Sequence, residues 1–384
     1  MEVPFLVSNN DGLFMDNFEA SKNSHQHPEV FELSFSTGAQ DQTHADQASI
    51  KIKLTDFGAS WISCQVPVDA SSNSAYQEVL STCYDASIYP THDGIRSVYL
   101  GATVGRWANR IAHGLVQTPT GLLQLQKARH QQHLLHGGEV GFDQHYWKVK
   151  SKTASSICFE LRSPHLDQGF PGNLKVQTQY ELIGPMSLKI SYEAIADQDT
   201  PLSLTNHAYF NLLDPQLAEL NNQLPAAFQH QLKINSDWVC PVNDELIPGK
   251  NQDLFPVEKR NFDYREFKNL TTPGLDHGFL LQSNTTQDQP LAVALRLNPN
   301  SSTSTLQMNI STSLPAVQIY TGEALAGIPK ADGSHTFLKA FDGVAIEPGF
   351  LPDSPNQPQW PQPSCILKAG QLWKHWIVYE WQNQ

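Results

Sequence analysis

Charge is scarce in this chain, and basic charge is scarcest. Charged residues make up 16% of its 384 residues, and 25 Lys and Arg against 38 Asp and Glu leave a formal net charge of -13. That balance excludes a surface built to grip nucleic acid phosphates or an anionic membrane. Long apolar runs are also missing. None approaches the ~20 residues that a transmembrane helix needs, and residues 1–7 have neither the basic stretch nor the apolar run of a secretory leader. Cysteines number five, at positions 64, 83, 158, 240 and 365. They are widely spaced and never form C-x-x-C. An odd, scattered set reads as reduced thiols rather than a disulfide framework, and the cytoplasm is the expected location. There is no G-x-S-x-G elbow, phosphate-binding loop, dinucleotide fingerprint or H-E-x-x-H pair. Nucleotide, nicotinamide and serine-hydrolase chemistries therefore lose support.

What the chain does have is turn formers and aromatics: 25 Pro, 23 Gly and 10% aromatic residues. That mix suits many strands joined by turns better than long helices. Residues 1–48 read as a polar N-terminal extension with room for partial order, including a short strand over 31–35. Residues 49–384 read as one domain. Ile50, Ile52 and Leu54 alternate with polar neighbours, and a partner strand is expected over 57–66. The clearest hairpin puts Leu174, Val176, Thr178, Tyr180 and Leu182 on one face, turns at Gly184-Pro185, and resumes with Leu188, Ile190, Tyr192 and Ala194. Further strands are expected over 157–161, 306–311, 317–320, 344–347 and 376–381. Helical periodicity is weak, with one short helix expected over 216–223. The Pro-rich stretch 351–363 reads as an ordered surface loop around Trp360. The fold class is all-β, a large antiparallel sandwich with few short helices.

Several polar residues sit where chemistry is possible. His207 lies in Thr205-Asn206-His207-Ala208-Tyr209-Phe210-Asn211, after a strand start at Thr200. Imidazole gives or takes a proton near neutral pH, and amides and aromatic faces suit a ligand such as a sugar. A core histidine satisfied by its neighbours fits the same pattern. His136 precedes Gly137-Gly138, a tight turn where backbone can approach a ligand closely. His130, His133 and His136 recur every third residue, but the glycines break any helix and no acid or cysteine lies close in sequence. No metal site is expected there, and His130 and His133 read as surface residues. Arg110 beside Asn109 suits ligand contact, whereas Arg106 suits a structural role. Asp276 reads as a turn aspartate when taken alone. Gln318 stands inside an apolar strand and needs partners, from protein or ligand. Glu347 ends the apolar run 344–346, where partial burial would place it as a general base or as a structural carboxylate.

Taken together and in order, these segments resemble the aldose 1-epimerase (galactose mutarotase) family. The matching pieces are 101–114, 135–138 with 141–143, 169–174, 205–211, 276–279, 315–322, and Glu347 through 352–356. The similarity runs from about residue 50 to the C-terminus. It implies a β-supersandwich and interconversion of the α and β anomers of free aldoses, D-galactose and D-glucose among them. By the same resemblance Glu347 is the general base at the C1 hydroxyl and His207 the general acid at the ring oxygen. His136 supports the charge change near that oxygen, and Asn109, Arg110, Asp276 and Gln318 hold sugar hydroxyls. The resemblance implies neither metal nor organic cofactor. The expected partner is a small free sugar, and the expected assembly a monomer or weak homodimer.

The chain departs from the family pattern in the middle of 144–147 and in 348–350, changes that retune sugar preference rather than remove chemistry. Residues 1–48 have no counterpart in it. Three alternatives compete. A hexose-phosphate epimerase on the same fold would need more cations. A non-catalytic sugar-binding protein would not need both Glu347 and His207. A glycoside hydrolase would use Asp276 and Glu347 as a carboxylate pair.

Overall fold

The computed structural model describes residues 27–35, 48–67, 76–83, 85–118, 121–213, 224–282, 291–299, 306–330 and 336–383. The expected helix over 216–223 lies outside these residues, as does most of 1–48. Among the described residues the α-helix is the five-residue Asp93–Ser97, and antiparallel strands make up the architecture.

A four-stranded sheet runs in the order Val30–Ser34, Lys51–Thr55, Ser60–Pro67 and Tyr76–Glu78. Alternation explains its middle: Ile52 and Leu54 are buried while Lys51 is exposed. The short strand expected over 31–35 is present one residue earlier, with Leu33 opposite Ile52. Part of the N-terminal stretch is thus stitched into the sheet.

The largest sheet has nine strands in the order Lys148–Lys152, Ser156–Ser163, Leu174–Gly184, Ser187–Ala196, Trp373–Asn383, Leu306–Thr312, Leu291–Leu297, His230–Ile234 and Lys268–Asn269. The hairpin legible in the sequence lies within it. Leu182 pairs with Leu188 and Tyr180 with Ile190, and the five residues of the expected inner face are all buried. A six-stranded sheet runs Tyr209–Phe210, Val344–Gly349, Ala316–Tyr320, Asp276–Leu280, Trp238–Val239 and Phe255–Pro256.

Trp61 ties the three sheets together. It belongs to the four-stranded sheet and is fully buried. Its ring meets Phe210 of the six-stranded sheet edge-on at 5.9 Å, and Tyr379 and Trp381 of the nine-stranded sheet at 5.3 and 6.3 Å. Such pairs add about 0.5–1.5 kcal/mol each beyond the area they bury. The indole N–H donates to the Ser63 carbonyl at 2.9 Å, so burial leaves no orphan donor.

The Pro-rich stretch is ordered, as expected, but residues 351–354 are buried rather than superficial, and Trp360 anchors it. The indole packs with Cys240, Leu280 and Leu351, and its Nε1–H donates to the Gln252 carbonyl at 2.8 Å. An indole this large buries too much apolar area to remain outside once a carbonyl accepts its proton.

Candidate active site

Strand register assembles most of the candidate residues on one face of the six-stranded sheet. Glu347 lies opposite Gln318, and Gln318 opposite Gly278. Asp276 is two residues before Gly278, and residues two apart on a strand share a face. On the other side Tyr209 pairs with Ala345, two residues before Glu347, and His207 precedes Tyr209 by two, with its ring 5.0 Å from the tyrosine ring. Glycine at 278 keeps the face open, because a Cβ there would stand 3.1 Å from Gln318 Oε1 and 3.0 Å from Leu351 and Pro352 atoms.

Glu347 sits inside its strand rather than at the end, since the ladder continues to Gly349. His207 lies between the two-residue strands Thr205–Asn206 and Tyr209–Phe210. Its backbone is fixed from both sides: its N–H donates to the Ala102 carbonyl at 2.9 Å, and Gly101 N–H donates to its carbonyl at 3.0 Å. The amides beside it do not await a ligand. Asn206 Nδ2 donates to the Gly101 carbonyl and the Tyr180 hydroxyl at 2.7 and 3.1 Å, and Asn211 Oδ1 accepts from Leu213 N–H at 3.0 Å. The aromatic neighbours Tyr209 and Phe210 are buried packing residues.

The second wall comes from the paired strands Arg110–Ile111 and Leu134–Leu135. It brings Asn109, Arg110 and His136 together. Asn109 and His136 exchange two contacts: Asn109 N–H donates to His136 Nδ1 at 3.2 Å, and His136 N–H donates to the Asn109 carbonyl at 3.2 Å. Gly137 follows at φ 93°, and a Cβ there would lie 1.9 Å from the Gly105 carbonyl oxygen, so no other residue fits the turn. Asp353, which sequence reasoning gave no role, pins this wall. Its N–H donates to the Arg110 carbonyl at 2.8 Å, and its Oδ1 accepts from Ala112 N–H at 2.9 Å.

The walls meet at a polar chain. Gln318 Nε2 donates to Asp276 Oδ1 at 2.6 Å, and Arg110 Nη1 lies 3.9 Å from Asp276 Oδ2. Gln318 Oε1 is buried without a partner among the described residues. Asp276 is therefore no isolated turn residue.

At the centre, His207 Nε2 is 3.5 Å from Glu347 Oε1, and the two side chains are 4% and 5% exposed. His136 and His207 pack edge to face with ring centroids 5.2 Å apart. Burial pushes the Glu347 carboxyl up to about 8, with Asp276 adding to the rise and Arg110 opposing it. Burial lowers the His207 imidazole to about 4. His136 is held well below its ordinary value by burial first, then by His207 and Arg110. These opposed shifts favour a protonated Glu347 beside a neutral His207 near neutral pH.

His136, His207 and Glu347 each offer a donor atom within 4.8 Å of the others, the count a metal would need. The proton arrangement argues against it. His136 Nδ1 accepts an N–H, so Nε2 carries the ring proton, the reverse of a ligating imidazole.

Other histidine and arginine expectations resolve differently. His130 is exposed as expected. His133 is half-buried instead, its Nε2 3.3 Å from Glu245 and its Nδ1 accepting from His113 N–H at 3.0 Å. Arg106 is structural, though no acid among the described residues binds it directly. Its guanidinium donates to Ser163 Oγ and to the carbonyls of Ser163, Pro164 and Pro171 at 2.8–3.0 Å. One residue at the centre had no sequence signal: Tyr99, whose ring centroid is 4.4 Å from that of His136.

A buried carboxyl paired with one imidazole and backed by a second, on an antiparallel β scaffold, is an arrangement chemically able to pass a proton. The family model for aldose 1-epimerase matches residues 41–380. The aldose 1-epimerase of Haemophilus influenzae is 37% identical over 350 residues, covering 88% of this chain and 95% of that protein. Mouse galactose mutarotase is 35% identical over 284 residues, 72% and 77% of the two chains. The solved structure of the C. elegans aldose epimerase homologue superposes with a TM-score of 0.76 at 24% identity, over 93% of this chain and 99% of that one, a likeness of fold. The chain belongs to the aldose 1-epimerase family, whose members are isomerases. The match begins at residue 41, earlier than the resemblance near residue 50. No helix among the described residues is long and apolar enough to cross a membrane.

Proposed function

We propose that this protein interconverts the α and β anomers of free aldohexoses, D-galactose and D-glucose, by ring opening and reclosure with no metal or organic cofactor. The observation that carries the reading is the buried Glu347–His207 pair, 3.5 Å apart, whose opposed shifts suit the exchange of one proton. With the proton on His207, Glu347 takes the proton of the C1 hydroxyl as a C1=O bond forms. The bond from C1 to the ring oxygen breaks, and His207 delivers its proton to that oxygen. The proton now rests on Glu347, the arrangement that burial favours. Rotation about C1–C2 presents the other carbonyl face. Reclosure runs the transfers backwards, so the pair ends as it began.

The surroundings support these roles. His136 presents an N–H at Nε2, a donor suited to the negative charge that builds on oxygen during opening. Asn109, Arg110, Asp276 and Gln318 form a rim of donors and acceptors for sugar hydroxyls, and fixing orientation converts binding into rate. Asp276 is engaged by Gln318 and Arg110, which suits a hydroxyl acceptor better than one carboxyl of a glycosidase pair. Among the residues that form the site, Arg110 is the one permanent cation and it faces Asp276, which disfavours a phosphorylated sugar. The described cysteines are all unpaired and buried, in keeping with a cytoplasmic protein. We read residues 49–384, with the strand Val30–Ser34 added to their sheet, as one domain and the assembly as a monomer or weak homodimer.

Polarimetry of freshly dissolved α-D-galactose, with and without the protein, tests the reading. Accelerated decay to the same final rotation is expected. An unchanged decay rate for galactose and for glucose at saturating protein would sink it.

A further inference from the structure

Tyr99 follows the short helix Asp93–Ser97 in the left-handed region, with φ 53°. An aromatic residue adopts that conformation only where its surroundings impose it, and such outliers gather at functional sites. The surroundings here are explicit. Tyr99 N–H donates to the Arg96 carbonyl at 3.2 Å, and Ala102 N–H donates to the Tyr99 carbonyl at 2.9 Å. The same turn supplies Gly101 N–H and the Ala102 carbonyl, which hold the backbone of His207 from both sides. Tyr99 is thus built into the turn that grips the proposed acid.

Its ring closes an aromatic triangle. The centroid lies 4.4 Å from that of His136 and 5.7 Å from that of His207, and the third edge is the 5.2 Å between the histidines. Its hydroxyl is unspent. A phenol in an enclosed site normally finds a partner, yet this one makes no hydrogen bond among the described residues and is not among the atoms sealed from solvent. The charged groups that act on it are Asp143, Arg110 and Glu347. Two of those three, Arg110 and Glu347, line the site.

We propose that Tyr99 is a further substrate-binding residue: its hydroxyl exchanges a hydrogen bond with a hydroxyl of the bound aldose, while its ring holds the two histidines at their mutual angle. The proposal rests on reading the site as a sugar site.

Calorimetric titration with D-galactose and steady-state polarimetry on wild type, Tyr99→Phe and Tyr99→Leu test it together. Tyr99→Phe keeps the ring and the backbone demand, so it folds as the wild type does. It is expected to weaken galactose binding and raise KM by roughly 3- to 10-fold, with kcat changed less than either. Tyr99→Leu removes the ring as well, and kcat is expected to fall in that variant and be largely restored in Tyr99→Phe. Wild-type affinity and KM in Tyr99→Phe would overturn the hydroxyl contact. A wild type that binds galactose without speeding mutarotation, with weaker binding in Tyr99→Phe, would overturn the proposed activity and leave Tyr99 as a sugar contact. A wild type with no galactose binding overturns both.

Discussion

His207 Nε2 stands 3.5 Å from Glu347 Oε1 in a site where burial pulls the two proton affinities past each other. The carboxyl rises to about 8 and the imidazole falls to about 4, each mainly by desolvation. In the proposed reaction the pair trades one proton, so it has to avoid two states, the one with no proton and the one with two. Opposed shifts widen the pH range over which the pair carries one.

This gives a pH dependence with a definite sign. Above about 8 the pair loses its only proton, so a base remains without an acid. Below about 4 both groups are protonated, so an acid remains without a base. The rate constant kcat/KM for mutarotation is expected to hold a plateau between these limits and fall on both sides, each limb belonging to the pair. Buffer-corrected polarimetry across pH 3–10 (about the range over which such groups titrate) checks it. A single inflection at the ordinary histidine value would contradict the buried-pair account.

Removing either partner should damage turnover rather than binding. Glu347→Gln keeps the shape of the base without its proton affinity, and His207→Asn keeps polarity without an ionisable ring. Each is expected to lower kcat by about 10²–10⁴-fold while KM moves far less. Thermal melting separates this from misfolding. Glu347→Gln should melt at or above the wild-type temperature at pH values above about 8, because the buried carboxylate whose burial raises its pKa is then gone. A variant with near-normal kcat would strip that residue of its role.

Much of this is legible in the sequence, but unevenly. The hairpin over 174–194 and the apolar strand before Glu347 declare themselves by alternation, because a sheet with a buried face imposes period two on its sequence. The gathering of Asp276, Gln318 and Glu347 was not declared by spacing, since it depends on register between strands far apart in the chain. Asn206 shows the limit most clearly. Its amide looked available for a ligand, but it is spent on the Gly101 carbonyl, 105 residues away. His133 departs from its surface reading the same way, through a distant partner, Glu245. Tyr99 carries no pattern at all, because its importance lies in a backbone angle and two ring contacts.

The donor count at the centre invites a metal, and the proton arrangement forbids a comfortable one. A ligating imidazole offers the lone pair of one nitrogen and donates the N–H of the other to an acceptor. His136 has the opposite surroundings: Asn109 N–H points at Nδ1 from 3.2 Å. Coordination through Nε2 would move the ring proton to Nδ1 and set two N–H groups against each other inside the core. Coordination through Nδ1 would break the contact that seats the ring. Prolonged dialysis against EDTA is therefore expected to leave the mutarotation rate unchanged, and added Co²⁺ should give none of the intense visible bands of a tetrahedral site. Loss of activity on chelation, with recovery on adding Zn²⁺ or Co²⁺, would show that His136 changes tautomer and would recast Glu347 and His207 as ligands rather than a proton-exchanging pair.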